Sequence, residues 1–97
     1  MNSPKSISLI FPVYKDKHTV KKVINKSLKI LRKLKKKYEI IIIDDGCPEK
    51  SGLVALKYTK KNNRIKVIFH KKNYGYGAAI RTGFKKSKFE CIYAVDG

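Results

Sequence analysis

Four consecutive isoleucines at residues 40–43 constrain the fold of this chain more than any other feature of its sequence. They lie in the segment EIIIIDDG, residues 39–46, which ends in two aspartates and a glycine. Successive side chains of a strand point to opposite faces of a sheet, so an unbroken apolar run predicts a strand that is buried on both faces. Such strands are typical of parallel sheets that helices cover on both sides.

The segments around this strand alternate between strand and helix patterns. Further strands are predicted at residues 7–13, 64–69 and 89–96, and helices at residues 19–37, 50–61 and 76–87. The resulting order is β-α-β-α-β-α-β. It predicts an α/β protein with a three-layer α/β/α architecture, in which a mostly parallel, Rossmann-like sheet is joined by right-handed crossovers.

The composition allows one small domain and favours an anionic partner. The 97 residues include 24 Lys and Arg against 7 Asp and Glu, which gives a net charge of +17. This charge suits a phosphate-bearing substrate, nucleic acid or an anionic membrane, and a lysine-rich solvent face without a specific partner explains it as well. No aromatic stripe interleaves with the lysines as a single-strand nucleic-acid platform requires, which argues against nucleic acid.

The cysteines and histidines suggest no metal centre. Cys47 and Cys91 form no metal-ligand spacing and predict free thiols in a reducing compartment. His18 and His70 have no such spacing either, and we expect structural or solvated roles for them. The first apolar run is interrupted by Pro12 and is too short for a signal peptide or a membrane span. We therefore expect a cytoplasmic location, with peripheral contact to a membrane left open.

Polar residues follow each predicted strand at the point where it ends. The carboxyl ends of parallel strands meet at one edge of a sheet, where open α/β sheets bind their ligands. The residues there are Tyr14, Lys15 and Asp16 after the first strand, Asp44 and Asp45 after the second, residues 73–77 after the third, and Asp96 at the end of the fourth. Because the following helices also begin at this edge, we expect a ligand site there.

The segment KKNYGYGAAIRTGF, residues 71–84, does not match two common nucleotide-binding motifs. A dinucleotide fingerprint has G-x-G-x-x-G/A after the first strand, whereas this loop follows the third strand and has Ile80 at the third glycine position. The chain also has no P-loop sequence. Gly75, Gly77 and Arg81 at a helix start suit an anion such as a diphosphate, and a simple tight turn at the two glycines is the alternative.

The aspartates suggest two kinds of role at the predicted edge. Asp44 and Asp45 are neighbours on an extended strand and point to opposite faces, so one is expected at the ligand and one in the scaffold. Capping of a turn is the alternative. Asp96 would face a phosphate only with a divalent cation between them, and a single aspartate is an incomplete metal site. Tyr14 either stacks on a base or covers the sheet edge.

Four segments in register resemble the N-terminal half of family 2 glycosyltransferases, which have the GT-A fold: SLIFPVYKDKHTV, EIIIIDDGCPEKS, NYGYGAAIRTGF and a strand ending in VDG. The third is most similar to the polyprenyl-phosphate sugar transferases, such as dolichyl-phosphate mannosyltransferase. The resemblance covers nearly the whole chain. It implies transfer of a sugar from a UDP- or GDP-sugar to a polyprenyl phosphate or another glycan or lipid acceptor. Residues 1–97 would then be a single N-terminal donor-binding domain, inactive alone.

The resemblance assigns the base-binding part of the site. Pro12 and Tyr14 match the first-strand loop, which holds the nucleotide base in the family. Asp16 stands where the family often has Glu, with the same charge on a shorter side chain. Asp45 matches the residue that binds the base, and Asp44 matches a partner of that loop.

The resemblance also assigns the diphosphate and metal side. Gly75, Gly77 and Arg81 match the loop and helix beside the donor. Asp96 matches the first aspartate of the D-x-D motif, which binds the donor ribose and, with its companion, Mg²⁺ or Mn²⁺. The chain ends at Gly97, before that companion, so the resemblance identifies no catalytic base.

Two other interpretations of the chain stay open at this point. One is a small basic module that binds nucleotides or nucleic acid. The other is a truncated product without a function of its own. The sequence does not choose the sugar, the base, the acceptor or the oligomeric state.

Overall fold

The computed structural model describes residues 5–14, 17–35, 37–48, 51–89 and 91–94. The elements, in chain order, are β1 Ser6–Val13, α1 Lys17–Leu34, β2 Lys37–Asp44, α2 Gly52–Thr59, β3 Ile65–Phe69, α3 Tyr76–Lys86 and β4 Cys91–Ala94. The predicted order is confirmed. Helix α1 ends three residues before its predicted end because Lys35 adopts a left-handed φ of 53°, which turns the chain into β2.

The four strands form one sheet in the order β3-β2-β1-β4, and every neighbouring pair is parallel. Strand β2 lies inside the sheet, where Ile41 pairs with Ile10 of β1 and with Lys66 of β3. Every β2 residue after Lys37 is buried. The run of isoleucines therefore occupies the position that its composition predicts.

Helices cover both faces of the sheet and form two apolar clusters. The larger cluster joins α1 and α2 to one face, with Ile24 and Ala55 packed near Ile40 and Ile42. The smaller cluster joins α3 to the other face through Ala79, Ile10, Ile41 and Ile43. Alternate residues of β2 thus enter opposite clusters, as the strand period of two requires. The predicted three-layer α/β/α architecture is confirmed.

Helix α3 lies close to the sheet because Gly83 faces Ile10. A Cβ built at Gly83 would lie 2.4 Å from Cγ2 of Ile10, a distance that real Cβ atoms essentially never show. The missing side chain therefore sets the approach of α3 to β1. That approach also sets the height of the glycine loop at the amino end of α3 relative to the sheet.

A buried carboxylate ties the amino ends of the strands together. Glu39 is 1% exposed and accepts hydrogen bonds from Ser8 Oγ at 2.6 Å, Lys66 Nζ at 3.0 Å and the Lys88 N–H at 2.8 Å. Burial raises the pKa of Glu39. The three hydrogen bonds and the charge of Lys66 together lower it by more than burial raises it, so the pKa lies below its ordinary value. This network joins β1, β2, β3 and the segment that leads into β4.

Candidate functional site

At the carboxyl edge of the sheet, Asp44 fastens the loop between β2 and α2. Its side chain is buried, with one carboxylate oxygen accepting the Cys47 N–H and the other the Gly52 N–H, both at 2.8 Å. Ser51 precedes α2 but makes no capping bond with its side chain. The carboxylate of Asp44 therefore satisfies the helix end from the neighbouring strand. This contact set matches the alternative in which one aspartate caps a turn.

Asp45 fastens a different loop, the one that contains the glycines. Its Oδ1 accepts the Tyr74 N–H at 3.0 Å and lies 2.7 Å from His70 Nδ1, while Oδ2 accepts the Gly75 N–H at 2.9 Å. Its own N–H donates to the Val13 carbonyl at 3.1 Å. Asp45 thus joins the end of β1 to the amino end of α3. These contacts do not test the predicted binding of a nucleotide base by Asp45, which stays a prediction.

These contacts explain the acidity of Asp45. Burial raises its pKa, but the hydrogen bonds from His70 and from the N–H groups of Tyr74 and Gly75 together lower it by a larger amount. The net pKa lies below the ordinary value for aspartate. A charged carboxylate is therefore part of the folded state at neutral pH.

His70 continues this arrangement into α3. Its Nε2 lies 2.8 Å from Thr82 Oγ1, and its ring meets the Tyr74 ring edge to face with 5.4 Å between the centroids. The His70 N–H also donates to the Asp44 carbonyl at 2.8 Å. The structural role expected for His70 is confirmed. The contact between His70 and Thr82 was not predicted. The contact between Asp45 and His70 could have been expected, because Asp44 pairs with Phe69 in the sheet and the next residue of each strand is then its neighbour.

The glycine loop leads directly into the first turn of α3. Gly75 has φ of 99°, a conformation that L side chains rarely adopt, and a Cβ built there would meet nothing within 4 Å. The N–H groups of Gly77 and Ala78 have no acceptor among the residues that the structure describes. A Cβ built at Gly77 would lie 3.8 Å from Arg81 Nη1, so the guanidinium group lies beside this turn.

The remaining predicted residues lie at the same edge or outside the described part of the chain. Pro12 is half-buried within β1, where it pairs with Ile43, and Tyr14 is exposed directly after that strand. Asp16 and Asp96 lie outside the described residues.

A cavity of about 390 Å³ opens on the β3 side of the edge. Its lining is Asp44, Gly46, Cys47, Leu53, Phe69, His70 and Lys71. Cys47 in this lining is buried and forms no disulfide with a described residue, and its Sγ lies 3.2 Å from Ser51 Oγ. The lining shares Asp44 with the predicted donor residues but does not include Tyr14, Gly75 or Arg81, so the cavity overlaps the predicted donor surface only at Asp44.

The described residues do not fit a metal ion. Among residues 5–14, 17–35, 37–48, 51–89 and 91–94, no three His, Cys, Asp or Glu side chains come together. Asp44 and Asp45 already use both carboxylate oxygens for hydrogen bonds. The metal ligand predicted from the sequence, Asp96, is not among the described residues.

None of the helices in the described part of the chain has both the length and the apolar character needed to cross a membrane.

The model of the family "Glycosyl transferase family 2" matches residues 8–97, so the chain belongs to this family. The chain is 33% identical to a dolichyl-phosphate beta-glucosyltransferase of Homo sapiens over 95% of its own length and 31% of that protein. It is 28% identical to an undecaprenyl-phosphate 4-deoxy-4-formamido-L-arabinose transferase of Photorhabdus laumondii over 95% of its length and 29% of that protein. The chain thus spans less than a third of either relative.

A solved structure shares the fold of the chain. It is the mannosyltransferase PcManGT from Pyrobaculum calidifontis in complex with GDP-Man and Mn²⁺, with a TM-score of 0.83 and 13% sequence identity. The similarity covers 98% of this chain and 28% of that one. The expected GT-A type of fold is confirmed.

Proposed function

We propose that the protein containing this chain transfers a sugar from a nucleoside-diphosphate donor to a polyprenyl phosphate, and that this chain binds the donor. The observation that carries the proposal is the attachment of the glycine loop to Asp45. Two adjacent N–H groups, those of Tyr74 and Gly75, donate to this one buried carboxylate. The names of the two relatives, which refer to dolichyl and undecaprenyl phosphate, support the acceptor class.

The amino end of α3 supplies the chemistry that a diphosphate requires. The N–H groups of Gly77 and Ala78 point out of the first turn, where the helix dipole adds a partial positive charge. No acidic residue lies in that turn, and Arg81 adds a full positive charge beside it. Because Asp45 and His70 hold the preceding loop, these donors are in place before a ligand arrives, which lowers the entropy lost on binding.

The other predicted contacts complete the proposed donor site. Tyr14 is exposed at the end of β1 and would stack on the base, next to Pro12 and Asp16. Mg²⁺ or Mn²⁺, bound in part by Asp96, would neutralise the leaving diphosphate. The complex of the structural neighbour with GDP-Man and Mn²⁺ supports this requirement. Binding experiments with UDP-sugars and GDP-sugars would determine which nucleotide the protein uses.

We also propose that the protein acts at the cytoplasmic face of a membrane, because a polyprenyl phosphate acceptor is a membrane lipid. The exposed lysines of α1, which include Lys21, Lys22, Lys26 and Lys29, suit an anionic lipid surface. Retention on anionic vesicles at low salt, and release at high salt, would support this location.

The test compares Arg81→Gln with Lys85→Gln in the full-length protein. Both residues are exposed on α3 and both changes remove one positive charge, but only Arg81 lies beside the glycine loop. We expect Arg81→Gln to weaken binding of a UDP- or GDP-sugar by about tenfold or more, and Lys85→Gln to weaken it less than twofold. Transfer to polyprenyl phosphate with Mg²⁺ or Mn²⁺, and its loss with chelator, tests the reaction itself.

Two results would contradict the proposal. Equal effects of the two variants would remove Arg81 from the donor site. Failure of the wild-type protein to bind either nucleotide sugar, together with salt-dependent RNA binding, would favour the basic binding module instead.

A further inference from the structure

A second cavity lies at the opposite edge of the sheet. Its volume is about 350 Å³, and its lining is Leu31, Arg32, Lys35, Lys37, Tyr38 and Arg64. These residues come from the carboxyl end of α1, the first residues of β2 and the residue before β3. Strand β2 has eight residues, so at about 3.3 Å per residue the two edges are roughly 25 Å apart. The cavity is therefore separate from the candidate donor site.

Positive charge dominates this cavity. Four of its six lining residues are Arg or Lys, and none is acidic. Within the described part of the chain, none of these four forms an ion pair, since the two observed pairs involve Lys66 and His70. The carboxyl end of α1 contributes only about half a negative charge. The remaining repulsion would be relieved by a bound anion.

The polar groups of the cavity are also arranged as donors. Asn62 Oδ1 accepts the Arg64 N–H at 2.9 Å, which leaves Asn62 Nδ2 to donate to the Tyr38 hydroxyl oxygen at 3.3 Å. The guanidinium carbon of Arg64 lies 4.7 Å from the centre of the Tyr38 ring. Among the described residues, the Tyr38 O–H itself has no acceptor. The Tyr38 O–H is therefore left to donate into the cavity, to water or to a bound acceptor.

The acidity of Tyr38 agrees with this geometry. Burial raises the pKa of the phenol, but hydrogen bonds from Asn62, Arg64 and Arg32 and the charge of Arg64 together lower it by a larger amount. The net pKa lies below the ordinary value for tyrosine. The surroundings of the hydroxyl therefore favour negative charge at this position.

We propose that this cavity binds a phosphate group, with Arg32 and Arg64 as charged donors and the Tyr38 hydroxyl as a neutral one. The planar guanidinium groups match the oxygens of a phosphate, and Lys35 and Lys37 add charge around them. The phosphate would be a free anion or the phosphomonoester head group of a lipid. The inference is independent of the proposed transferase activity, because no residue of this cavity belongs to the donor site.

The first experiment locates the site with inorganic phosphate as the probe. The full-length protein is labelled with ¹³C at the tyrosine ring carbon that bears the hydroxyl, and the Tyr38 signal is assigned by its loss in Tyr38→Phe. Phosphate replaces chloride at constant ionic strength. We expect the Tyr38 signal to shift with saturation. An unchanged Tyr38 signal at phosphate concentrations of tens of millimolar would overturn the proposal.

The second experiment separates a built site from general positive charge. Phosphate affinity is measured by calorimetry for the double variant Arg32→Gln/Arg64→Gln and for a control, Lys29→Gln/Lys60→Gln. The control residues are exposed, lie outside the cavity and carry the same total charge. We expect a loss of about tenfold or more for the arginine variant and less than twofold for the control. Equal losses would overturn the proposal.

Tyr38→Phe adds a test that leaves the charge unchanged. It keeps the ring under Arg64 and removes only the O–H donor, so we expect phosphate affinity to fall about threefold to tenfold. An unchanged affinity would remove the hydroxyl from the site.

Vesicles distinguish the two sources of phosphate. Phosphatidylcholine vesicles are prepared with phosphatidic acid or with phosphatidylserine at equal surface charge. A preference for phosphatidic acid that is lost in Arg32→Gln/Arg64→Gln would identify a lipid head group. Saturable phosphate binding without that preference would identify the free anion.

Discussion

Replacing Asp45 by asparagine tests how the glycine loop is held. The change preserves the shape of the side chain but converts one acceptor oxygen into an NH₂ group. In the wild-type protein the two oxygens face the N–H groups of Tyr74 and Gly75 as well as His70 Nδ1. In either orientation of the asparagine amide, one of the two backbone N–H groups would face another donor.

The cost of Asp45→Asn follows from these contacts. An unsatisfied buried donor costs about 1–3 kcal/mol, and the remaining hydrogen bonds lose the strength that the charge gave them. We expect the free energy of unfolding to fall by about 2–4 kcal/mol. Since the pKa of Asp45 is lowered in the folded state, its contribution is present above the pKa of the unfolded chain. It is lost as pH falls below about 4 and through the folded pKa, so the variant should show a weaker acid dependence.

Denaturant unfolding and amide exchange at Gly75 measure this effect. If the loss appears as local opening of the loop, exchange of the Gly75 amide should accelerate by roughly 10²-fold. The matched control is Thr82→Val, which removes the partner of His70 Nε2 but leaves all three contacts of Asp45 in place. The control should lose only about 0.5–1.5 kcal/mol and leave Gly75 exchange nearly unchanged. If Asp45→Asn changes neither stability nor exchange, Asp45 does not hold the loop.

Two further predictions concern the glycine loop and the Glu39 network. Gly75→Ala should destabilise the protein by about 1–2 kcal/mol because φ is 99° there, whereas Gly77→Ala, which would make only ordinary contact with Arg81, should be neutral or slightly stabilising; thermal unfolding compares the two, and equal effects would contradict the backbone argument. Glu39→Gln should reduce stability at neutral pH and flatten its decline as pH falls below about 4.5, since the lowered pKa of Glu39 makes its contribution vanish under acid. Unfolding curves at several pH values check this, and parallel curves for both proteins would refute it.

The sequence was sufficient to predict the sheet because its signal comes from burial. A run such as Ile40–Ile43 can satisfy both of its faces only between two helical layers, and the observed clusters divide these residues by alternation. The end of α1 was harder to predict, because a lysine gives little local indication of a left-handed turn. Lys35 adopts this conformation where the chain must reverse before β2.

The edge of the sheet was predictable as a place but not as a set of contacts. Strand ends brought Asp44, Asp45 and the glycine loop to one rim, as parallel topology requires. Which carboxylate holds which loop depends on hydrogen bonds of 2.9–3.0 Å between residues 29 and 30 positions apart in the sequence, and the sequence pattern does not resolve positions so finely. The cavity around Tyr38 gave no sequence signal, because its arginines and lysines are separated along α1, β2 and the start of β3.

The two edges of the sheet use charge in opposite ways. At the carboxyl edge, Asp44 and Asp45 accept hydrogen bonds from backbone N–H groups of the neighbouring loops. The proposed diphosphate would therefore bind to other N–H groups, those of Gly77 and Ala78 in α3. At the amino edge, Glu39 fixes the strands from inside, while the cations around Tyr38 face outward without a carboxylate. All three acidic residues that the structure describes, Glu39, Asp44 and Asp45, are bound within the fold, whereas four of the cations line the cavity around Tyr38.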